Sequence, residues 1–434
     1  MSNTVIEQIP KYDSYKESGV EWLGEIPEHW SLTPNKRIFN LKKKLVGKRS
    51  SEYDLLSLTL KGIIKRDMDN PEGKFPAEFD TYQEVSSGDF VFCLFDVEET
   101  PRTVGLSKFD GMITGAYTVF NPSEQYSREF LYYFYLNLDT DKKLKPLYKG
   151  LRNTISKEVF FSFKAFVPPI NEQVKIAKYL DRTTAQIDEA IVIKQKQIEL
   201  LKECKQIIIQ QAVTQGLNPD SPMKDSGVDW IGTIPEHWEA IKLKHLFKET
   251  TSRTKTGEET LLSLRMERGL VPHNEVSDKP ISAENLIDYK MVEPGQMVMN
   301  RMRAAIGIFG IPSQAGLVSP DYAVYNVSQE IVAEFYLLLF KTQIMGTQFR
   351  LASKGMGTGS SGFMRLYNEN FGNIKVPFAP SVEQKEILEK IEKESSKLNR
   401  AIDNLNLSID KLKEYKTTLI NSAVTGKIKV TELA

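Results

Sequence analysis

Two stretches of the chain, 172–212 and 383–423, contain neither glycine nor proline and align without a gap at an offset of 211. In the first, Leu180, Ile187, Ile191, Ile198, Leu201 and Ile208 fall at alternating three- and four-residue steps, with some positions skipped. Ile391, Leu398, Ile402, Ile409, Leu412 and Leu419 occupy the same places in the second, where Leu405 fills a skipped step. A seven-residue apolar repeat predicts one long helix per stretch, with a coiled-coil seam. The seam is imperfect, because Thr184, Lys194 and Lys205 stand where apolar residues are expected. An isolated helix of this length would leave its stripe in water, so the two are expected to pack antiparallel against each other. Each ends in Ala-Val-Thr (Ala212 to Thr214, Ala423 to Thr425), with Gly216 or Gly426 close behind as a stop.

The duplication is chain-wide. SGVEWLGEIPEHW runs from Ser18 to Trp30, and SGVDWIGTIPEHW from Ser226 to Trp238, 208 residues later. LLSL occurs at Leu55 to Leu58 and again at Leu261 to Leu264. Gly88 and Gly295 each precede a short apolar run, which predicts a turn leading into a strand. Phe130 to Leu138 and Phe335 to Thr342 read as short aromatic-aliphatic helices. VPPINEQ (Val167 to Gln173) and VPFAPSVEQ (Val376 to Gln384) end a strand at proline and bring glutamate into a helix's first turn. The expected fold class is α+β: two mixed α/β domains and two long antiparallel helices forming a coiled coil, an internal repeat with pseudo-two-fold symmetry and a dumbbell shape. The expected boundaries are 1–166 and 224–375 for the globular domains, 167–215 and 376–434 for the helices (the second with a short tail), and 216–223 for a linker.

Composition narrows the chemistry. The 57 basic residues balance 57 acidic ones, which argues against an indiscriminate nucleic-acid binder but not against a local basic surface. Cys93 and Cys204 cannot by themselves build a disulfide framework or a zinc site. No apolar run approaches the ~20 residues that span a bilayer, and the N-terminus lacks the pattern of a signal peptide, so a cytoplasmic protein is expected. Catalytic signatures are missing. The amino-methyltransferase tetrapeptide, Asn or Asp followed by two prolines and an aromatic, does not occur, nor does a phosphate-binding loop or HExxH. His29 and His237 sit in the repeated PEHW, which reads as a turn with a buried aromatic anchor or as a Glu/His metal pair. We favour the turn, and no metal or cofactor site is expected in this chain.

Positive charge is concentrated early in each globular domain. Lys36, Arg37, Lys42, Lys43 and Lys44 lie in an acid-free run, with Lys242 and Lys244 in the corresponding stretch of the second half. Such residues suit phosphate contacts that set register without reading sequence, or else a solvated face. Base-reading candidates are Lys61, Lys65, Arg66, Arg102, Arg152 and Asn153, and in the second half Arg265, Arg268, Asn300, Arg301, Arg303, Ser360, Ser361 and Arg365. Asn300-Arg301-x-Arg303 fits an exposed loop or a core-capping arginine equally well. Gly355 to Gly362 reads as a loop approaching a phosphate or groove, or as a plain surface loop, because it does not open the strand–helix unit a dinucleotide site needs.

The repeated SGVxWxGxIPEHW string, the proline-then-Glu-Gln approach to each long helix and the AVT ending closely followed by glycine, all in duplicate and in order, resemble the specificity subunits of type I restriction-modification systems. The resemblance implies that the globular domains are target recognition domains, each reading one half of a split, asymmetric double-stranded DNA target. It implies that the helical pair spaces them and docks two copies of a methyltransferase subunit, which carry S-adenosylmethionine. A restriction subunit using ATP and Mg can join them. On this view the chain is not itself an enzyme, and Lys194, Lys205 and Lys416 on the seam face acids of partner subunits. The competing reading is a non-enzymatic scaffold whose two globular ends bind proteins.

Overall fold

The structure, a computed structural model, describes residues 6, 8–20, 23–68, 78–97, 99–148, 153–279, 281–355 and 364–433. Both long helices are present, as Ile170–Gln215 of 46 residues and Ser381–Val424 of 44. The chain separates into two compact units, residues 1–195 with 406–434, and residues 196–405. These are not the halves expected from sequence, because antiparallel pairing gives each globular domain the start of one helix and the end of the other. In the first unit, Lys175 shares a cleft with Lys429 and Thr431, while farther along Asp188 bonds Lys416 at 2.7 Å. In the second, Gly216 packs on Glu383 and Lys205 donates to Asn399 at 3.0 Å. Each of the thirteen expected seam residues is buried or half-buried. Two of the three seam lysines need correcting: Lys416 and Lys205 meet Asp188 and Asn399 on the opposing helix of this same chain, while Lys194 is half-buried. Thr184 is likewise satisfied, its hydroxyl 3.2 Å from that of Tyr133. No helix among the described residues is long and apolar enough to cross a membrane.

The globular domains share one topology. Each has a four-stranded antiparallel sheet, in the order Phe39–Lys42, Thr118–Pro122, Phe90–Phe92, Val104–Leu106 in the first unit. The second repeats it as Phe247–Thr250, Tyr322–Val327, Met297–Asn300, Phe309–Gly310. The hairpin Leu56–Thr59/Gly62–Lys65 has its counterpart in Leu262–Arg265/Gly269–Pro272. Strand alternation explains why each sheet supports two cores. Phe90, Phe92 and Phe120 face the main core with the helix Arg128–Thr140 and the long-helix ends; Val91 and Val119 face a smaller core under the hairpin, with Leu56 and Ile63. Met297, Met299 and Tyr325 against Val298 and Val324 repeat the division. The second aromatic helix stops at Phe340, two residues before the expected Thr342, because Thr342 caps a further helix, Gln343–Ala352, by accepting the Met345 N–H.

The repeated tryptophan and the repeated Glu-Gln meet at the base of each long helix. Glu172 accepts the Trp30 indole N–H at 3.2 Å, the Tyr12 hydroxyl at 2.5 Å, and lies 2.8 Å from His29 Nε2. Glu383 accepts from Trp238 at 2.9 Å and lies 2.8 Å from His237 Nε2. Both indoles are buried, and both carboxylates sit in a helix's first turn, where the peptide dipoles favour an anion. The neighbouring glutamine ties in the domain: Gln173 Oε1 accepts the Ser127 N–H at 2.9 Å, and Gln384 Oε1 the Val332 N–H at 2.8 Å, each just ahead of an aromatic helix. The far end of the other long helix closes on the same tryptophan. Gly426 and Gly216 both adopt left-handed backbone, with φ of +76° and +77°. A Cβ on Gly426 would lie 2.3 Å from Pro27 Cδ, whereas on Gly216 its nearest neighbour is Glu383 Oε1 at 3.3 Å.

Glu172→Ala, by stranding partly buried donors, should cost the first unit about 1–3 kcal/mol in urea unfolding, with Glu172→Gln milder. Gly426→Ala should destabilise more than Gly216→Ala, since both carry backbone strain but only the former collides with a proline ring. Equal losses would show that the approach to Pro27 is not what constrains Gly426.

Candidate nucleic-acid interface

Each globular domain closes at a neck, where the Asn35 N–H donates to Phe163 O at 2.8 Å and, in the second unit, the Leu243 N–H to Ile374 O at 2.9 Å. A single helical turn follows each neck, Asn35–Ile38 and Leu243–Leu246. The sequence there is amphipathic within four residues: Ile38 and Leu246 turn into the core, leaving Lys36, Arg37 and Lys244 exposed. Lys43 is exposed just beyond the strand Phe39–Lys42, and Lys242 is half-buried at the end of Glu239–Lys242. Lys61 and Arg265 stand exposed at the tips of the equivalent hairpins. Among the described residues none of these seven cations has a carboxylate partner.

Other candidates turn inward. Lys42 bonds Asp89 at 2.7 Å and Ser86 at 2.8 Å, and Asp89 is fully buried. Arg102 reaches Asp139 at 3.3 Å, a carboxylate also held by Lys142 and Thr103. Arg301 pairs with Glu249, which also holds the buried Lys290 at 3.2 Å. Burial holds the Lys290 ammonium below its usual pKa against the opposing pull of Glu249. Of the two readings open for Arg301, the structure therefore selects the core-capping one, and Lys42 and Arg102 are corrected with it from DNA-facing to structural. Asn300 is buried and spends its Oδ1 on the Met302 N–H at 3.1 Å.

Four candidates are exposed or half-exposed yet paired: Lys44 with Glu84 at 2.8 Å, Lys65 with Asp54 at 2.5 Å, Arg268 with Glu275 at 2.6 Å and Arg365 with Asp321 at 2.9 Å. Arg66 follows the first hairpin, its N–H donating to Leu55 O at 2.8 Å. Asn153 is half-buried with φ of +42°. Arg303 is exposed and unpaired among the described residues. Arg152, Ser360 and Ser361, with most of the glycine-rich segment 355–362, lie outside the described residues. Its flanks do not: Lys354 and Arg365 exchange two backbone hydrogen bonds, of 3.0 and 2.9 Å.

Each domain stitches two loops together at an equivalent point. The Ile155 N–H donates to Leu94 O at 2.8 Å, and the Leu366 N–H to Arg301 O at 2.9 Å. Sequence reasoning missed what this stitch presents in the second unit, the exposed Met302 and Tyr367, because exposed apolar residues leave no periodic signal. PEHW is a turn, with the Trp30 N–H donating to Pro27 O at 3.0 Å and Trp238 repeating it at 2.9 Å. No group of three or more metal-binding side chains forms among the described residues.

Comparison with known proteins matches this architecture. The family model for the type I restriction modification DNA specificity domain covers residues 103–202 and 235–409. The chain therefore belongs to the type I restriction-modification DNA specificity family. Over 98% of its length it is 24% identical to a putative type I restriction enzyme MjaX specificity subunit of Methanocaldococcus jannaschii, covering 99% of that protein. The MjaVIII specificity subunit of the same organism is 26% identical over 70% of this chain and 71% of its own. Among solved structures, a chain of a type I R-M system determined to explain complex assembly and conformational transition matches with a TM-score of 0.65 at 12% identity, covering 92% of this chain and 98% of that one. The HsdS subunit from Thermoanaerobacter tengcongensis matches with a TM-score of 0.54 at 12% identity, over 95% and 100% of the two chains.

The division into inward and outward cations is testable. Lys42→Ala leaves Asp89 buried without its ammonium and should cost about 3 kcal/mol in chemical unfolding. Lys36→Ala should change unfolding by less than ~0.5 kcal/mol. A Lys42→Ala protein as stable as the parent would return Lys42 to the surface set.

Proposed function

We propose that this chain is the DNA-reading subunit of a type I restriction-modification complex, each globular domain reading one half of an asymmetric bipartite double-stranded DNA target. The observation that carries this is a common frame bearing unlike exposed groups. Hairpins, sheet, neck and loop stitch repeat, yet the tip Thr59-Leu60-Lys61-Gly62 answers to Arg265-Met266-Glu267-Arg268-Gly269. Two copies of one reader would carry the same residues at these points; two different half-sites call for different ones. Unpaired lysines at the necks suit phosphate positioning, while arginines and apolar groups on loops suit base edges.

In this reading, methylation belongs to two methyltransferase subunits that bring S-adenosylmethionine, and cleavage to a restriction subunit with ATP and Mg where one joins. The helical pair offers the docking surface and sets the half-site gap. A balanced net charge fits a chain that shares the grip on DNA with partners.

Removing one heptad from each long helix keeps the seam in phase and shortens it by about 10 Å. The complex should then methylate sites whose gap is roughly three base pairs shorter, at ~3.4 Å per pair. An unchanged gap would remove the helices as the ruler. Replacing residues 35–163, which end at the neck hydrogen bond, with another such domain should alter one half of the methylated sequence and leave the other. A protein-binding scaffold would alter neither. Binding by the assembled complex should fall steeply with salt.

A further inference from the structure

In the second unit the loop leaving strand Met297–Asn300 sends successive side chains opposite ways. Asn300 and Arg301 turn inward, to the Met302 N–H and to Glu249. Met302 and Arg303 consequently face out, Met302 at 49% exposure. The main chain beneath them is fixed, since Arg303 O accepts the Ile306 and Ile308 N–H groups at 3.2 and 3.3 Å. The stitch from Leu366 to Arg301 lays a second segment alongside. On it, Arg365 is neutralised by Asp321 and rests 5.9 Å from the centre of the Tyr367 ring, which is 48% exposed.

The result is one guanidinium with no carboxylate partner among the described residues, next in the chain to an exposed thioether, with an exposed phenol ring on the segment laid alongside. The same stitch in the first unit carries Leu94, Phe95 and Asp96 on one strand of it and Ser156 on the other, so that an aspartate stands where the second unit has Arg303 and a serine where it has Tyr367. Scaffold is repeated at this point and chemistry is not. A contact made only to phosphate needs charge alone, without an apolar wall. A guanidinium beside apolar surface matches a base edge, where its fork bonds guanine O6 and N7 and apolar atoms meet a thymine methyl.

We propose that Arg303 is a base-reading residue of the second unit, that Met302 and Tyr367 form the apolar wall beside it, and that Arg301 and Arg365 position the loop. This rests on the DNA-reading function proposed above. The test uses the full chain assembled with its methyltransferase subunits and maps the methylated sequence. Arg303→Ala should lower methylation of the parental site ten- to a hundredfold and relax preference at a G·C pair in one half-site only. Arg303→Lys, which keeps charge but loses the fork, should relax the same pair while holding most of the affinity. Unfolding midpoints equal to the parent's separate these effects from folding.

Parental preference in Arg303→Lys would mean a phosphate contact and overturn the proposal, as would relaxation of both half-sites in Arg303→Ala. A parent complex that methylates no bipartite sequence would instead overturn the DNA-reading function, and this inference with it.

Discussion

Everything in each unit is referred to one carboxylate in the first turn of a long helix. Glu172 and Glu383 stand where helix dipoles favour an anion and where a buried indole needs an acceptor. Each also engages the histidine beside the tryptophan, so the repeated opening string is pinned to the helix that begins some 140 residues later. The adjacent glutamine does the same for the aromatic helix of the domain. Two consecutive side chains thus fix a whole domain on its helix. The glycine ending the opposite helix then closes over the tryptophan on left-handed backbone, which favours glycine at both positions, and at Gly426 a Cβ would also strike Pro27.

The antiparallel seam supplies the second constraint. Leu180, Ile187 and Leu419 pack in the core of the first unit, and Ile209 and Ile391 in that of the second. Apolar contacts alone specify register weakly, because one turn of slippage exchanges similar residues. Asp188 with Lys416, and Lys205 with Asn399, are discrete donor–acceptor pairs that a slipped register would break, and both pairs have residue numbers summing to 604. A polar residue within an apolar seam commonly trades stability for register in this way. Lysines that look like defects in the heptad pattern therefore help define the pairing.

Charge behaves similarly. Equal numbers of acids and bases conceal a sorting in space: Lys42, Arg102, Arg301 and Lys290 are consumed by Asp89, Asp139 and Glu249, while Lys36, Arg37, Lys244 and Arg303 stand exposed with no carboxylate partner among the described residues. The inward set stiffens the frame from which the outward set projects.

Sequence alone determined the long helices, the seam, the duplicated strands and the anchoring role of the tryptophans, since each depends on local periodicity or on comparing the two copies. It also located the basic run as a stretch of chain. It could not separate Lys42 from Lys43, or Arg301 from Arg303, because the carboxylates that decide between them lie 47 and 52 residues away. Nor could it give the unit boundaries, which cut both helices. Those depend on which distant segments share a core, and burial and ion pairing are properties of three-dimensional neighbours that no local pattern encodes.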